Sequence, residues 1–131
     1  MNLAELNKHY NKLQKIIKLK EMYEILYAKS LGCQKIDGMP HGSSVGDKVA
    51  ILAIELADIK SRLEYLQQDV KDSQYSIENF LQTVDNDTIR LALRLRYLYG
   101  YNWYEVAELY GGGHTADTIK VSCYRYLSNI K

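Results

Sequence analysis

The chain has 131 residues, of which 47% are hydrophobic and 25% are charged, so it can bury a core as one domain or as a small domain with a long extension. The formal net charge of +1 excludes a polycation that binds nucleic acid by bulk charge alone. No apolar run approaches the roughly 18 residues of a membrane span, and the two distant cysteines do not form a disulfide framework. We therefore expect a protein of a reducing cytoplasm with free thiols and no membrane contact.

Residues 2–31 carry the first predicted helix, in which apolar residues recur every three or four positions. This stripe consists of Leu3, Leu6, Tyr10, Leu13, Ile16, Leu19, Tyr23 and Leu26. Six Lys and three Glu give residues 1–31 a net charge of +3. The lysines at positions 8, 12, 15 and 18 fall largely on the other side of the helix. That pattern indicates a solvated face, with contact to phosphates as the alternative.

Residues 32–46 interrupt the helical pattern. They hold the only proline of the chain, Pro40, and four of its eight glycines. Both residue types disfavour helix, and two serines add turn chemistry. We expect a mobile loop between two helices here.

Residues 47–84 predict the most regular helix of the chain, because apolar residues alternate at steps of three and four over five heptads, as in a coiled coil. The seam consists of Val49, Leu52, Leu56, Ile59, Leu63, Leu66, Val70, Ser73, Ile77, Phe80 and Val84. Four basic and seven acidic residues give the segment a net charge of −3. The first helix can cover this seam as an antiparallel hairpin, a second copy can cover it in a homodimer through residues 49–84, or both can hold. We favour the hairpin, because the loop is long enough to reverse the chain at little entropic cost.

Residues 85–131 contain three shorter helical patterns and predict a trihelical helix-turn-helix. An Asn or Asp near Asn86 can cap the packing helix, and Gly100 can end it by taking a positive φ. Six basic and five acidic residues give this segment a net charge of only +1. Fold class is therefore predicted as all-α, with a helical hairpin over residues 1–84 and the helix-turn-helix over residues 85–131.

The second and third helices of this segment have their own boundary signals. Asn102 with Glu105 three residues later predicts a capping box. Trp103 is assigned to the core and not to base stacking, since large aromatic residues at helical spacing usually pack inside a small domain. The break Gly111-Gly112-Gly113 separates the helices, and Thr115 caps the third.

The third helix is the predicted recognition helix, and its outward residues are candidates for contact with base edges in the major groove. These candidates are Thr115, Asp117, Thr118, Lys120, Val121 and Tyr124. Thr118 and Lys120 are the main predicted readers, because a hydroxyl or methyl can meet thymine and a lysine favours guanine. Candidates for phosphate contact are Arg90, Arg94, Arg96, His114, Arg125 and Lys131. Ion pairs within the domain are an equal alternative for Arg90, Arg94 and Arg96, and an ordinary solvated helix face is the alternative for the others.

Catalytic chemistry is not indicated. No nucleophile with a base, paired carboxylates or phosphate-binding loop has the spacing that a reaction needs, so we expect no enzyme. The three histidines have no ligand spacing with one another or with the cysteines, and no metal ion or other cofactor is expected.

The run Leu95-Arg96-Tyr97, followed by Gly100-Tyr101-Asn102-Trp103-Tyr104-Glu105-Val106-Ala107, resembles region 4 of sigma-70-type factors. With the loop Gly38-Met39-Pro40-His41-Gly42-Ser43-Ser44, nearly the whole chain resembles the small phage late-gene transcriptional activators of the RinA/ArpU type and their prophage relatives. The turn at residues 110–115 is longer here than is usual in that family. The resemblance implies a regulator that binds double-stranded promoter DNA, with RNA polymerase as a further partner, in the cytoplasm of a bacterial host.

Two other functions fit the same predicted elements. A DNA-packaging protein of the small-terminase kind also joins a helix-turn-helix to an oligomerising helix. A helical interaction module would instead contact RNA polymerase without binding DNA. Ring stoichiometry would indicate the first, and absence of duplex binding even at low salt would indicate the second.

Overall fold

The computed structural model describes residues 1–34 and 43–129, and within these ranges the chain is all-α, without a strand. The helices are α1 (Leu3–Gln34), α2 (Ser43–Gln82), α3 (Asp87–Tyr97), α4 (Trp103–Tyr110) and α5 (Ala116–Asn129). None of these helices combines the length and the apolar character needed to cross a lipid bilayer.

The chain forms two compact units that do not coincide with the predicted division at residue 84. We call Met1–Gln14 with Asp69–Lys131 the helix-turn-helix unit, and Lys15–Gln68 the two-helix unit. The start of α1 and the end of α2 thus belong with the three C-terminal helices.

The reason for this division is a shared core. Side chains from the first turns of α1 and the last turns of α2 are buried in one cluster with side chains from α3, α4 and α5. The buried members of this cluster are Leu6, Ile77, Leu81, Val84, Ala92, Leu93, Tyr97, Trp103, Val106, Ala107, Ile119, Cys123 and Leu127. Burial of large apolar side chains is the main favourable term in folding, so removal of α1 would expose part of this core.

Polar and aromatic contacts also join α1 to the end of α3 and to the segment that links α3 and α4. The Tyr10 ring lies edge-on to the Tyr97 ring, with centroids 6.3 Å apart. The guanidinium carbon of Arg96 lies 3.6 Å from the centroid of Tyr10, in cation–π geometry. Gln14 Nε2 donates to the backbone oxygen of Gly100 at 2.6 Å. These contacts orient the C-terminal helices against α1.

The predicted heptad seam is confirmed, since every seam position of α2 is half-buried or buried. The eight residues of the α1 stripe are also half-buried or buried. In the helix-turn-helix unit, Lys12 Nζ lies 2.8 Å from Asp69 Oδ2, while three residues earlier in α1 His9 meets Ser73. This order of contacts is antiparallel. Within the helix-turn-helix unit, α1 of the same chain therefore lies antiparallel to α2 at residues 69–73.

Ser73, the one polar residue of the seam, pairs with His9 of α1. His9 is 2% exposed, and its Nδ1 lies 2.7 Å from Ser73 Oγ, which donates to the Val70 backbone oxygen. Burial, together with the nearby positive charge of Lys12, lowers the pKa of His9 below its ordinary value. His9 is therefore neutral at physiological pH. The hydrogen-bonded pair of His9 and Ser73 stands where other seam positions make apolar contacts.

Helix boundaries differ from the predicted loop. Helix α1 continues to Gln34, and α2 already begins at Ser43, so both ends of predicted loop 32–46 are helical. A glycine inside a helix costs only about 1 kcal/mol, and Gly32 and Gly46 have nothing within 4 Å of a Cβ position. The rest of the predicted loop lies outside the described residues.

Candidate nucleic-acid interface

Helix α4 is fixed at its start by a reciprocal cap. Asn102 Oδ1 accepts from the Glu105 backbone N–H at 2.8 Å, and Glu105 Oε1 accepts from the Asn102 backbone N–H at 3.2 Å. Trp103 is 8% exposed, and its ring lies edge-on to the rings of Tyr97 and Tyr124. The predicted capping box is confirmed, and Trp103 is a core residue that cannot stack on bases.

The turn between α4 and α5 depends on its three glycines. Gly111, Gly112 and Gly113 have φ values of 72°, 69° and 76°, and the Gly111 backbone N–H donates to the Ala107 oxygen at 3.0 Å to end α4. Glycine adopts this left-handed region readily, whereas residues with a Cβ do so at a cost. The run therefore sets the direction in which α5 leaves the turn.

Helix α5 starts at a threonine cap. Thr115 Oγ1 accepts from the Thr118 backbone N–H at 3.2 Å, and the two hydroxyls lie 2.7 Å apart. The cap confirms the predicted start of the helix. Because the Thr115 hydroxyl is engaged in this cap, we treat Thr115 as a residue that positions α5 and not as one that contacts bases. Asp117 is exposed in the first turn, where a carboxylate suits the helix dipole.

One face of α5 is buried, and the other is free in the described part of the chain. Ile119, Cys123 and Leu127 are 1–6% exposed and pack in the core. The exposed residues are Asp117, Thr118, Val121, Ser122, Arg125, Ser128 and Asn129. We call these seven residues the outer face of α5. Ser122 was not among the sequence candidates, although its position four residues after Thr118 could have indicated it.

Lys120 and Tyr124 border this outer face. Both are half-buried, and Lys120 Nζ lies 5.6 Å from the centroid of the Tyr124 ring. The Tyr124 ring packs edge-on against Trp103 with centroids 6.1 Å apart. Tyr124 therefore packs against the core beside the outer face, whereas the flexible side chain of Lys120 can extend beyond the Tyr124 ring.

Two of the arginines predicted to contact phosphate are engaged inside the helix-turn-helix unit. Arg90 donates to the Val84 backbone oxygen at 2.9 Å and pairs with Asp87. Arg96 lies between the Tyr10 and Trp103 rings and donates to the Tyr101 backbone oxygen at 3.3 Å. Arg96 is therefore a packing residue, and a phosphate would have to displace these contacts. We correct its assignment, and that of Arg90, to structural roles.

Arg94 has no ion-pair or hydrogen-bond partner among the described residues, but it lies on the side of α3 that faces away from α5. Thr88, Ile89 and Ala92 are the α3 residues that line a cleft with α5. Arg94 comes two residues after Ala92, which is about 200° around the helix. It therefore points away from α5, and its predicted role on the same DNA face is not favoured.

His114 and Lys131 are the remaining residues predicted to contact phosphate. His114 is exposed beside the turn, and its ring lies edge-on to Tyr110 at 4.9 Å. Tyr110 in turn donates to Thr88 Oγ1 at 2.9 Å, which ties this side of the turn to the start of α3. Lys131 lies outside the described residues.

Buried ionisable groups near α5 are held neutral. Burial raises the pKa of the Cys123 thiol to about 12, and it also raises the pKa of the Tyr97 phenol. Both groups therefore stay protonated at neutral pH and act as core residues. The described residues contain no group of three or more His, Cys, Asp or Glu that could hold a metal ion.

No protein-family model matches the chain, and neither a curated protein nor a solved structure shows significant similarity to it. The fold and the outer face of α5 are therefore the basis on which a function can be argued.

Proposed function

We propose that the chain is a sequence-specific DNA-binding protein that places α5 in the major groove. The observation that carries this proposal is the exposed, polar outer face of α5, which lies opposite the face that packs on α3 and α4. Recognition helices of this kind contact base edges through residues near their N-terminus. On α5, those residues are Thr118, Lys120, Val121 and Ser122.

Each of these side chains suits a particular contact. Lys120 can donate to guanine, and Val121 is an apolar surface for a thymine methyl. The Thr118 hydroxyl lies 2.7 Å from that of Thr115, and the Ser122 hydroxyl donates to the Thr118 backbone oxygen at 2.9 Å, so both oxygens can still accept from a base. Arg125 lies further along the same outer face, and His114 lies beside the turn. We assign both to phosphates that flank the groove.

The electrostatics predict modest affinity. With Arg90 and Arg96 engaged, few basic groups near α5 remain for phosphates among the described residues. If two or three phosphates are contacted, log K should fall against log salt with a slope of about −2 to −3. We infer that sequence-specific contacts, and not bulk charge, supply the discrimination.

We further propose that the DNA is promoter DNA and that the chain is a transcriptional regulator of phage or prophage origin. Support for this step is the likeness of residues 95–107 to sigma region 4 and of the chain to phage late-gene activators. Activation of late genes in a bacterial cytoplasm is the form that this resemblance favours.

The direct test is fluorescence anisotropy of labelled random duplex titrated with the full chain at several salt concentrations. We expect binding at low salt that weakens with the slope given above. Lys120→Ala and Arg125→Ala should each weaken binding. Arg94→Ala removes the same charge from the other side of α3 and serves as the matched control. Absence of binding at the lowest salt, or equal losses in all three variants, would contradict the proposal.

A second candidate function is a protein-binding module that contacts RNA polymerase without DNA. One observation favours it, namely the outward side of α4, where Tyr104 and Leu109 are 80% and 59% exposed beside the acidic Glu105 and Glu108. Exposed aromatic residues are enriched in protein interfaces. Biolayer interferometry with purified polymerase would test it. Binding that Tyr104→Ser abolishes, together with no duplex binding, would favour this candidate.

A further inference from the structure

Among its described residues, the two-helix unit, residues 15–68, exposes eight large apolar side chains, of which five lie along one side. Met22 and Ile25 of α1 are 50% and 58% exposed, and Ile51, Ile54 and Tyr65 of α2 are 55%, 69% and 72% exposed. We call these five residues the apolar face. Exposed apolar side chains that lie together mark an interaction site more often than scattered single residues do.

The five residues share one side because they line or adjoin two neighbouring cavities, which have Leu19 and Arg62 in common and which we treat as one groove. Met22 and Ile25 line its first part with Glu55 and Asp58, and Tyr65 lines its continuation with Lys15 and Lys18. Ile51 and Ile54 each lie four residues, or about one turn, before a residue that lines the groove. The far side of this part of α2 instead exposes Ala53, Lys60, Glu64 and Gln67.

The two-helix unit also has little core of its own. Among its described residues only Ile16 and Ile59 are buried, whereas the rest of the seam is half-buried. Two helices that pack only on each other leave their outer faces exposed to solvent. In a four-helix bundle, a second pair of helices covers one of these faces. A covering layer would therefore complete the burial of Leu19 and Leu26, which line the groove.

Charges along the groove identify which covering layer fits. Its Tyr65 end carries Lys15 and Lys18, and its other end carries Glu55 and Asp58. Arg62 lies between these ends, and its Nε is 3.3 Å from Asp58. A surface with a basic end and an acidic end is complementary to itself when turned end over end. Self-complementarity is the requirement for a two-fold interface, whereas a different partner has no need of it.

We propose that a second copy of the chain packs antiparallel on the apolar face, so that two two-helix units form a four-helix layer. The basic end of each groove then lies over the acidic end of the other. None of the five residues of the apolar face is a seam position, although Ile59 and Leu66 of the seam line the groove beside them. The proposal does not rest on DNA binding, since its residues all lie between positions 15 and 68.

Sedimentation velocity of the full chain, from about 1 to about 500 μM, tests the proposal without DNA. We expect a reversible monomer–dimer equilibrium. Ile54→Glu should abolish the dimer by placing a charge in the interface, whereas Ala53→Glu, on the far side of α2, should leave it unchanged. Circular dichroism of both variants checks that the helices are retained.

Charge reversal gives a readout that a folding defect would not produce. Lys18→Glu and Glu55→Lys should each weaken the dimer by about tenfold, because two symmetric attractions become repulsions. The double variant exchanges the ends of the groove and should restore association. A monomer at every concentration, a larger ring, or a dimer insensitive to Ile54→Glu and to both reversals would overturn the proposal.

Discussion

Replacement of Leu6 by alanine should destabilise the helix-turn-helix unit, although Leu6 belongs to the first helix of the chain. Leu6 is 1% exposed and lies in the same buried cluster as Trp103 and Ile119. Leu→Ala at such a site removes apolar burial and leaves a cavity, at a cost of about 2–5 kcal/mol in the free energy of unfolding. With a urea m-value of about 2 kcal/mol/M, a loss of about 3 kcal/mol lowers the midpoint by about 1.5 M.

Trp103 makes this measurement specific, because it is the only tryptophan and lies in α4. Its fluorescence during urea unfolding reports the helix-turn-helix unit, while circular dichroism reports all helices. Leu31→Ala is the matched control, since Leu31 lies in the same helix but is 41% exposed. A Trp103 transition that moves no more for Leu6→Ala than for Leu31→Ala would refute the assignment of α1 to this unit.

Two further predictions concern single sites. Folding lowers the pKa of His9, so protonation favours the unfolded state, and the free energy of unfolding should fall as pH drops below the ordinary histidine value of 6.5. In urea unfolding at a series of pH values, His9→Gln should flatten this dependence; equal slopes for the wild type and His9→Gln would contradict the role of burial. Gly112→Ala should destabilise the fold by about 1 kcal/mol because φ there is +69°, whereas Gly46→Ala in α2 should stabilise it by up to about 1 kcal/mol. Thermal unfolding measures both, and a neutral Gly112→Ala would mean that the turn relaxes freely.

Local signals in the sequence predicted the helices and their caps. The seam of α2 and the stripe of α1 follow from periodicity alone, because burial on one side of a helix repeats every three or four residues. The capping box at Asn102 and the glycine break after Tyr110 follow from backbone chemistry within a few residues. These features are determined by near neighbours, which a sequence displays directly.

Contacts between distant segments could not be predicted in this way. The sequence offers no local sign that Arg96 packs on Tyr10, that Gln14 donates to Gly100, or that His9 pairs with Ser73. Each depends on the register in which α1 meets the rest of the unit. Arg96 was therefore assigned to phosphate contact, although its position between two rings makes it a packing residue.

The distinction between the two sides of α3 also needed the structure. Arg90 and Arg94 are four residues apart and therefore share a face of α3, and the sequence predicts phosphate contact for both. Only the cleft between α3 and α5 shows that this face points away from α5. The candidate interface is consequently narrower than predicted and centres on the outer face of α5 and on Lys120 beside it.

Selection of bound sequences from a pool of random duplexes tests most directly whether the outer face of α5 reads DNA. The full chain should enrich a defined motif, and Lys120→Ala should lose preference at one position of that motif by about 1–3 kcal/mol, while Arg94→Ala should enrich the same motif as the wild type. A selected pool indistinguishable from the starting pool, or a motif unchanged by Lys120→Ala, would contradict the assignment of α5 as a recognition helix.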